Sequence, residues 1–506
     1  MHHSSPRRSF LATILATGMA PALRCHARAA DTERFPLGVA SGQPRPDGMV
    51  LWTRLMGDDL PERVDVQWEL AHDEAFTRIA ARGSEGADAA WAHSVHAEPR
   101  GLDSARWYFY RFTALGQRSA VGRTRTAPAL NANPAPLRFA IANCQRWDHG
   151  HYAAWRDVAA SSLDLVLFLG DYIYEYAALP SPVRMHRGST VRTLDAYRDR
   201  YAQYKSDPLL QAAHAAAPWL MVWDDHEVAN DYAGMEGRSA TSGFARQRAA
   251  AYQAYWEHMP FPHSAKPSGA DMRIYGHLDW GRLARFHLLD DRQYRDAQAC
   301  PRPGLGGNRQ LRLSECPELL DPQRSLLGAA QERWLADSWS LDRPWNLLAQ
   351  QTLMARLSRR DPAQDARYAS DGWDGYAPAR QRLLHTVAEK KVPGVVVLGG
   401  DVHASFVADL RVDFDKPESA IVASEFCATS ISSHGRAQSA LDAVRGFNPH
   451  LHHAQSEHRG TTRFTLDAHT LHAEMRVVAN ARDAGSAVST AARFHVAAER
   501  AGARAG

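Results

Sequence analysis

Lysine is nearly missing from this chain of 506 residues. It occurs only at 205, 266, 390, 391 and 416, so the 59 basic residues are almost all arginine. Net charge is scarce too, at a formal +3. That falls short of the clustered basic excess with which a nucleic-acid binder holds its polyanion, and no stable nucleic-acid complex is expected. The body of the chain has no run of about 18 apolar residues, so no internal membrane span is expected. Five cysteines exclude a disulfide-dense scaffold. What is present, 45% hydrophobic and 23% charged residues, is ordinary for a globular protein and excludes disorder, collagen repeats and coiled coils.

Residues 1–30 read as an address rather than a fold element. Arg7 and Arg8 precede a moderately apolar run over 10–23, and Ala27-Arg28-Ala29 supplies an A-x-A-like cleavage site. The segment Ser5-Pro6-Arg7-Arg8-Ser9-Phe10-Leu11 looks like a twin-arginine signal, which makes the twin-arginine translocase a transient partner; an ordinary secretory signal with two arginines is the alternative. Either reading places the mature protein in the periplasm or outside the cell. Residues 1–29 carry Arg7, Arg8, Arg24 and Arg28 and no acid, so the mature chain has 55 basic against 56 acidic residues, a net of −1. Any attraction for phosphate must then be local. Cys25 leaves with the signal. Cys300 and Cys316 enclose a Gly/Pro-rich loop and suit a disulfide in an exported protein, against the alternative of two unpaired thiols.

Over 31–128 short strands are broken by turns. Val64, Val66, Trp68 and Leu70 alternate with polar residues, and 49–55 and 106–115 also read as strands, which predicts a small all-β sandwich of immunoglobulin or fibronectin type. A linker at 129–136 follows. From 137 to 485 buried strands (137–142, 163–169, 219–223, 283–289, 347–351, 395–398) alternate with helices (from about 151, then 194–204, 243–258, 328–341, 378–391), an α/β pattern with helices flanking a central sheet or sandwich. Residues 486–506 read as a C-terminal tail, and the whole as a monomer.

Four polar clusters close apolar strands, where α/β sheets collect ligands. They are Asn143-Cys144-Gln145; Gly170-Asp171-Tyr172-Ile173-Tyr174-Glu175; Asp224-Asp225-His226-Glu227 with Asn230; and Gly400-Asp401-Val402-His403. Each alone could be a turn. Together they gather carboxylates, imidazoles, a thiol and a phenol, and burying so many ionisable groups without cations would be costly. Cys144 and Tyr174 are strong donors suited to iron(III), while Asp225 and Asn230 are hard oxygen donors suited to calcium, with other divalent metals left open.

These clusters, with Phe35-Pro36-Leu37-Gly38-Val39, Leu289-Asp290-Asp291-Arg292 and Ser424-Glu425-Phe426-Cys427, resemble the PhoD-type alkaline phosphatases and phosphodiesterases of the calcineurin-like metallophosphoesterase superfamily. The resemblance spans nearly the whole mature chain. It implies an α/β metallophosphoesterase fold and an exported hydrolase for phosphomonoesters or phosphodiesters, acting by in-line attack of a metal-bound hydroxide. It implies Cys144 and Tyr174 on iron, Asp171 between iron and calcium, Asp225 and Asn230 on the calcium side, and Asp401 and His403 completing the pair. His226 is the expected proton donor or, alternatively, an orienting residue. Arg292 and Arg295 are candidates for a phosphate contact or for a structural salt bridge. A secreted phospholipase D-like phosphodiesterase is the close alternative. A noncatalytic surface-binding protein should have lost ligands, and none of the four clusters has.

Overall fold

The computed structural model of the chain describes residues 33–237 and 243–506. The signal read at 1–30 lies outside the described residues. Among the described residues no helix is long and apolar enough to cross a membrane.

In the N-terminal part the period-two pattern decides which side chains turn inward. Along Trp107–Ala114 every second residue is buried, and Val64 and Val66 are buried between exposed neighbours in Arg63–Ala71. These two strands join Ile79–Asp88, Gln117–Arg118 and Gly122–Arg125 in a five-stranded antiparallel sheet. Opposite lie Val39–Arg45, Gly48–Arg54 and Ser94–Ala97, across a core that includes Met49, Leu51, Val66, Tyr110 and Phe112. These two layers are not self-contained. Val39–Arg45 also pairs in parallel with Trp219–Met221, at Gly42 opposite Trp219, so this layer is one edge of a ten-stranded sheet. Gly42 permits the junction, since a Cβ there would stand 2.7 Å from the Trp219 carbonyl oxygen.

The middle of the ten-stranded sheet is parallel: Leu137–Ala142, Leu165–Phe168 and Trp219–Met221 lie side by side. A seven-stranded sheet has its own parallel centre in Ala284–Leu288, Trp345–Ala349, Val395–Gly399 and Ile421–Cys427. Strands such as Leu165–Phe168 and Val395–Gly399 are buried at every position, as parallel strands covered on both faces must be. Aromatic contacts join the two sheets, with Phe139 meeting Phe286 edge-on at 5.6 Å and Phe426 meeting Phe464 at 5.4 Å. Helices Leu194–Lys205, Phe244–His258, Gly328–Ser338 and Ala377–Glu389 form close to the ranges read from the sequence.

The tail expected at 486–506 is corrected by the sheet. Val488–Ala497 and Arg500–Ala505 add two antiparallel strands to the ten-stranded sheet. The last is tied to the other sheet as well, because the Ala503 N–H donates to Asp409 Oδ1 (3.1 Å) and the Gly502 N–H to Ser424 Oγ (3.0 Å).

Lys205, at the end of helix Leu194–Lys205, is a buried cation with no carboxylate partner among the described residues. Its ammonium lies over the Trp52 ring, 4.1 Å from the centroid, where the N-terminal layer meets the helix. Burial pushes it down to about 7. A depressed lysine favours the fold least when both states carry the proton. Stability should therefore rise from about pH 7 toward 10.5 as only the unfolded chain stays charged. Thermal melts of Lys205→Met should show a higher midpoint at pH 7 and lose that rise; an unchanged pH slope would refute the assignment.

Candidate metal centre

The site forms because strand ends coincide. Ala142 pairs with Phe168, and Phe168 with Met221, so the chain leaves three neighbouring parallel strands at one level and delivers Cys144, Asp171 and the Asp224–Asp225 pair side by side. Val395–Gly399 of the second sheet delivers Asp401 and His403. Sharp turns aim these groups. Cys144, Asp171, Asp401 and His403 all have left-handed backbones, with φ of 54°, 59°, 64° and 54°. Such conformations cost of order 1–3 kcal/mol each for residues other than glycine and persist only where the surroundings enforce them. Gly170, at φ 104°, leaves room for the neighbouring loop, since a Cβ there would lie 2.4 Å from that of Asp224. Buried Glu227 clamps the turns together, accepting the N–H groups of Asp171 (3.1 Å), Tyr172 (2.5 Å) and Asp224 (2.8 Å).

The expected ligands converge. Ligand atoms of Cys144, Asp171 and His403 lie within 4.8 Å of one another, as do those of Asp171, Asp225 and His226 and those of Asp224, Asp225 and Asp401. Asp171 belongs to two of these groups. The Tyr174 hydroxyl donates to Asp171 Oδ2 (2.7 Å), lies 3.0 Å from His403 Nε2 and accepts from Ser433 Oγ (2.8 Å). His403 Nδ1 faces the His434 carbonyl oxygen at 2.8 Å, which leaves Nε2 toward the cluster. His226 Nδ1 is held by Glu175 Oε2 at 2.7 Å, and its ring lies 4.1 Å from that of Tyr174. The Asn230 N–H donates to the other Glu175 oxygen (2.8 Å), which places Asn230 beside His226.

The donor set fits cations. Three buried carboxylate oxygens, Asp171 Oδ1, Asp224 Oδ2 and Asp225 Oδ1, have no hydrogen-bond partner. Buried polar atoms are rarely left so, and acceptor-only oxygens can be satisfied only by a donor or a cation. The electrostatics agree. Burial, then the charges of Asp171, Asp401 and Asp224, pushes the Cys144 thiol well up, and burial with Asp171 and Cys144 does the same to the Tyr174 phenol. Burial also raises Asp224 and Asp401, although Arg292 opposes it in both. Asp171 is lowered instead: burial would raise it, but His226 and His403 outweigh that.

Arg292 is not at the solvent face where a phosphate would arrive. It is fully buried, and each of its three side-chain nitrogens meets a carboxylate: Nε on Asp224, Nη1 on Asp371 Oδ2 (2.5 Å) and Nη2 on Asp401 Oδ1 (3.3 Å). Arg295 is equally buried and grips Asp371 through Oδ1 (2.7 Å) and the main-chain oxygen (2.7 Å). Of the two readings open for these arginines, the structure draws the salt bridge.

Some site residues were not singled out from the sequence. Asp231 and Asp371 form a further acidic group with Asp225. Asp231 is next to a named candidate, but Asp371 follows the short, half-buried strand Arg367–Ala369, which has no apolar run to announce it. The disulfide-closed loop supports both. Cys300 and Cys316 are bonded, the Asn308 N–H donates to Asp231 Oδ2 (3.1 Å), and Gln298 Nε2 donates to the Asp231 carbonyl oxygen (2.7 Å) and Asp371 Oδ1 (3.0 Å). Cys427 is a core residue, its Sγ 3.3 Å from the Gly400 carbonyl oxygen.

Residues 139–475 match the family pattern described as PhoD-like phosphatase, and 18–128 match that of the PhoD-like phosphatase N-terminal domain. Alkaline phosphatase D of Bacillus subtilis (strain 168) is 44% identical over 477 residues, which cover 91% of this chain and 80% of the relative. The solved structure of PhoD superposes with a TM-score of 0.88 at 42% identity, covering 95% of this chain and 93% of that one.

Proposed function

Because the chain belongs to the PhoD-like phosphatase family, and so is a phosphoric ester hydrolase, we propose that it is an exported, metal-dependent enzyme that cleaves phosphomonoesters or phosphodiesters at the cluster around Asp171. We assign its two packed sheets to the metallophosphoesterase arrangement. The observation that carries this reading is the set of orphaned oxygens on Asp171, Asp224 and Asp225, converging with a thiol, a phenol and an imidazole in one buried place. Cys144, Tyr174 and His403 would hold iron(III), Asp171 would face both ions, and Asp225, Asn230 and Asp401 would serve the calcium side. Bound there, two cations would neutralise phosphate charge and lower the pKa of water toward neutrality.

The residues of the chain do the rest. Water adds to phosphorus as the ester P–O bond breaks, and the departing oxygen must gain a proton. His226 is placed to give it: Glu175 engages Nδ1, so Nε2 is the nitrogen left for the substrate side. His226→Ala should lower kcat about a hundredfold or more for alkyl esters and far less for 4-nitrophenyl esters, whose leaving group needs no proton. An equal loss for both, with loss of bound metal, would make His226 a positioning residue instead.

Metal analysis of protein exported from its own host, with a visible spectrum, tests the cofactors. A phenolate on iron(III) should give a charge-transfer band that Tyr174→Phe removes. Zinc alone, with no band, would refute the iron assignment.

A further inference from the structure

A cavity of about 400 Å³ opens directly beside Asp401 and His403. Its walls differ from those of the cluster. Leu353, Leu357 and Phe406 line one part, and Arg359 and Arg436 another. Arg359 is half-buried and Arg436 exposed, and neither guanidinium has an ion pair among the described residues, whereas Arg292 and Arg295 beside the cluster are both held by carboxylates. Arg359 Nε is buried with no hydrogen-bond partner. The Arg436 carbonyl oxygen accepts from Ser456 Oγ (2.6 Å), and its guanidinium has no hydrogen-bond partner among the described residues. Asp374 also lines the cavity, but its oxygens are taken by Arg380 Nη1 (2.7 Å) and the Leu357 N–H (2.9 Å). Two like charges side by side repel, and burial followed by Arg436 pushes Arg359 down to about 10, although Asp374 opposes this. An arrangement of this kind gains from an anion shared between the two, and guanidinium forks suit phosphate oxygens.

We propose that this cavity binds an ester substituent of the substrate, and that Arg359 and Arg436 select substituents carrying a second anionic group of the phosphate kind. The inference rests on the phosphoesterase reading above and deepens it. The apolar wall covers the carbon skeleton between the two phosphates, and the arginines fix the far end. The same chemistry occurs in small bis-phosphorylated alcohols and in polymers of repeating phosphodiesters, so the shared feature is the second anion at short range.

Two diesters with the same leaving group test it: 4-nitrophenyl ethyl phosphate, and 4-nitrophenyl 2-phosphonoethyl phosphate, whose C–P bond is not hydrolysed. The metal-loaded wild-type enzyme should prefer the phosphono substrate in kcat/KM. Arg359→Ala and Arg436→Ala should each lower kcat/KM for it by about tenfold or more, chiefly through KM, as loss of a charge-assisted hydrogen bond implies. The ethyl diester should be unaffected. Arg359→Lys should restore part of the preference. Equal losses on both substrates, or no loss on either, would overturn the proposal. No hydrolysis of any ester by the loaded wild type would instead refute the phosphoesterase reading itself. If the phosphono substrate supports the proposal, a polyol-phosphate oligomer and a small bis-phosphate, compared in the same variants, separate the two sources.

Discussion

Asp171→Asn is expected to lower kcat/KM for a phosphate ester by roughly a thousandfold or more, beyond the ~10²–10³ typical of losing a single transition-state donor. The reason is position. Asp171 shares one ligand group with Cys144 and His403 and another with Asp225 and His226, and it accepts the Tyr174 hydroxyl as well. Among the described residues it is the only member of the Cys144–Asp171–His403 group that also belongs to a second such group. The choice of Asn matters. Asp171 has φ 59°, a region that asparagine tolerates and alanine enters at a cost of about 1–2 kcal/mol. The Asn variant should melt close to the wild type in the absence of metal and carry less metal when loaded, while Asp171→Ala should lose stability too. Near-wild-type hydrolysis by the Asn variant would sink the shared-ligand scheme.

Arg292→Leu is expected to act on stability before it acts on substrate. Arg292 is the buried cation among Asp224, Asp371 and Asp401. Removing one partner of a buried ionic group leaves charges uncompensated, typically at about 3–5 kcal/mol. The metal-stripped variant should therefore melt well below the metal-stripped wild type. Added divalent cation should recover more of the loss in the variant, because Asp224 and Asp401 are then free to bind it. Arg292→Lys should fall between, since one ammonium cannot reach three carboxylates as a fork does. An unchanged melt with a raised KM would instead restore Arg292 as a phosphate contact.

The strand-end candidates are legible because a buried parallel strand announces itself as an unbroken apolar run, and the first polar group after it has little freedom to sit elsewhere. Cys144, Asp171, Asp225 and Asp401 follow such runs. Asp371 does not; Arg292, Arg295 and Gln298 hold it at the cluster, and no local pattern encodes that. Helix Pro208–Ala216 has no apolar periodicity of its own to announce it, although Asp207 caps it by accepting the Leu209 and Leu210 N–H groups and Pro208 occupies its first turn. It is short, and it lies hard behind a longer helix whose pattern runs up to it. The strands at 488–505 were read as a tail because their alternation pairs alanines with polar residues, and only the neighbouring strand shows which face is covered.

The parallel contact between Gly42 and Trp219 bears on how this protein can be divided. Two family patterns meet at the linker, which invites treating the parts as exchangeable modules. The sheet ignores that boundary. Cutting there would strip a neighbour from Trp219–Met221, the strand that runs straight into Asp224 and Asp225, and would bare its backbone groups to pairing with other chains. The two segments share one sheet, so a swap of the N-terminal segment is also a change to the segment that carries the cluster.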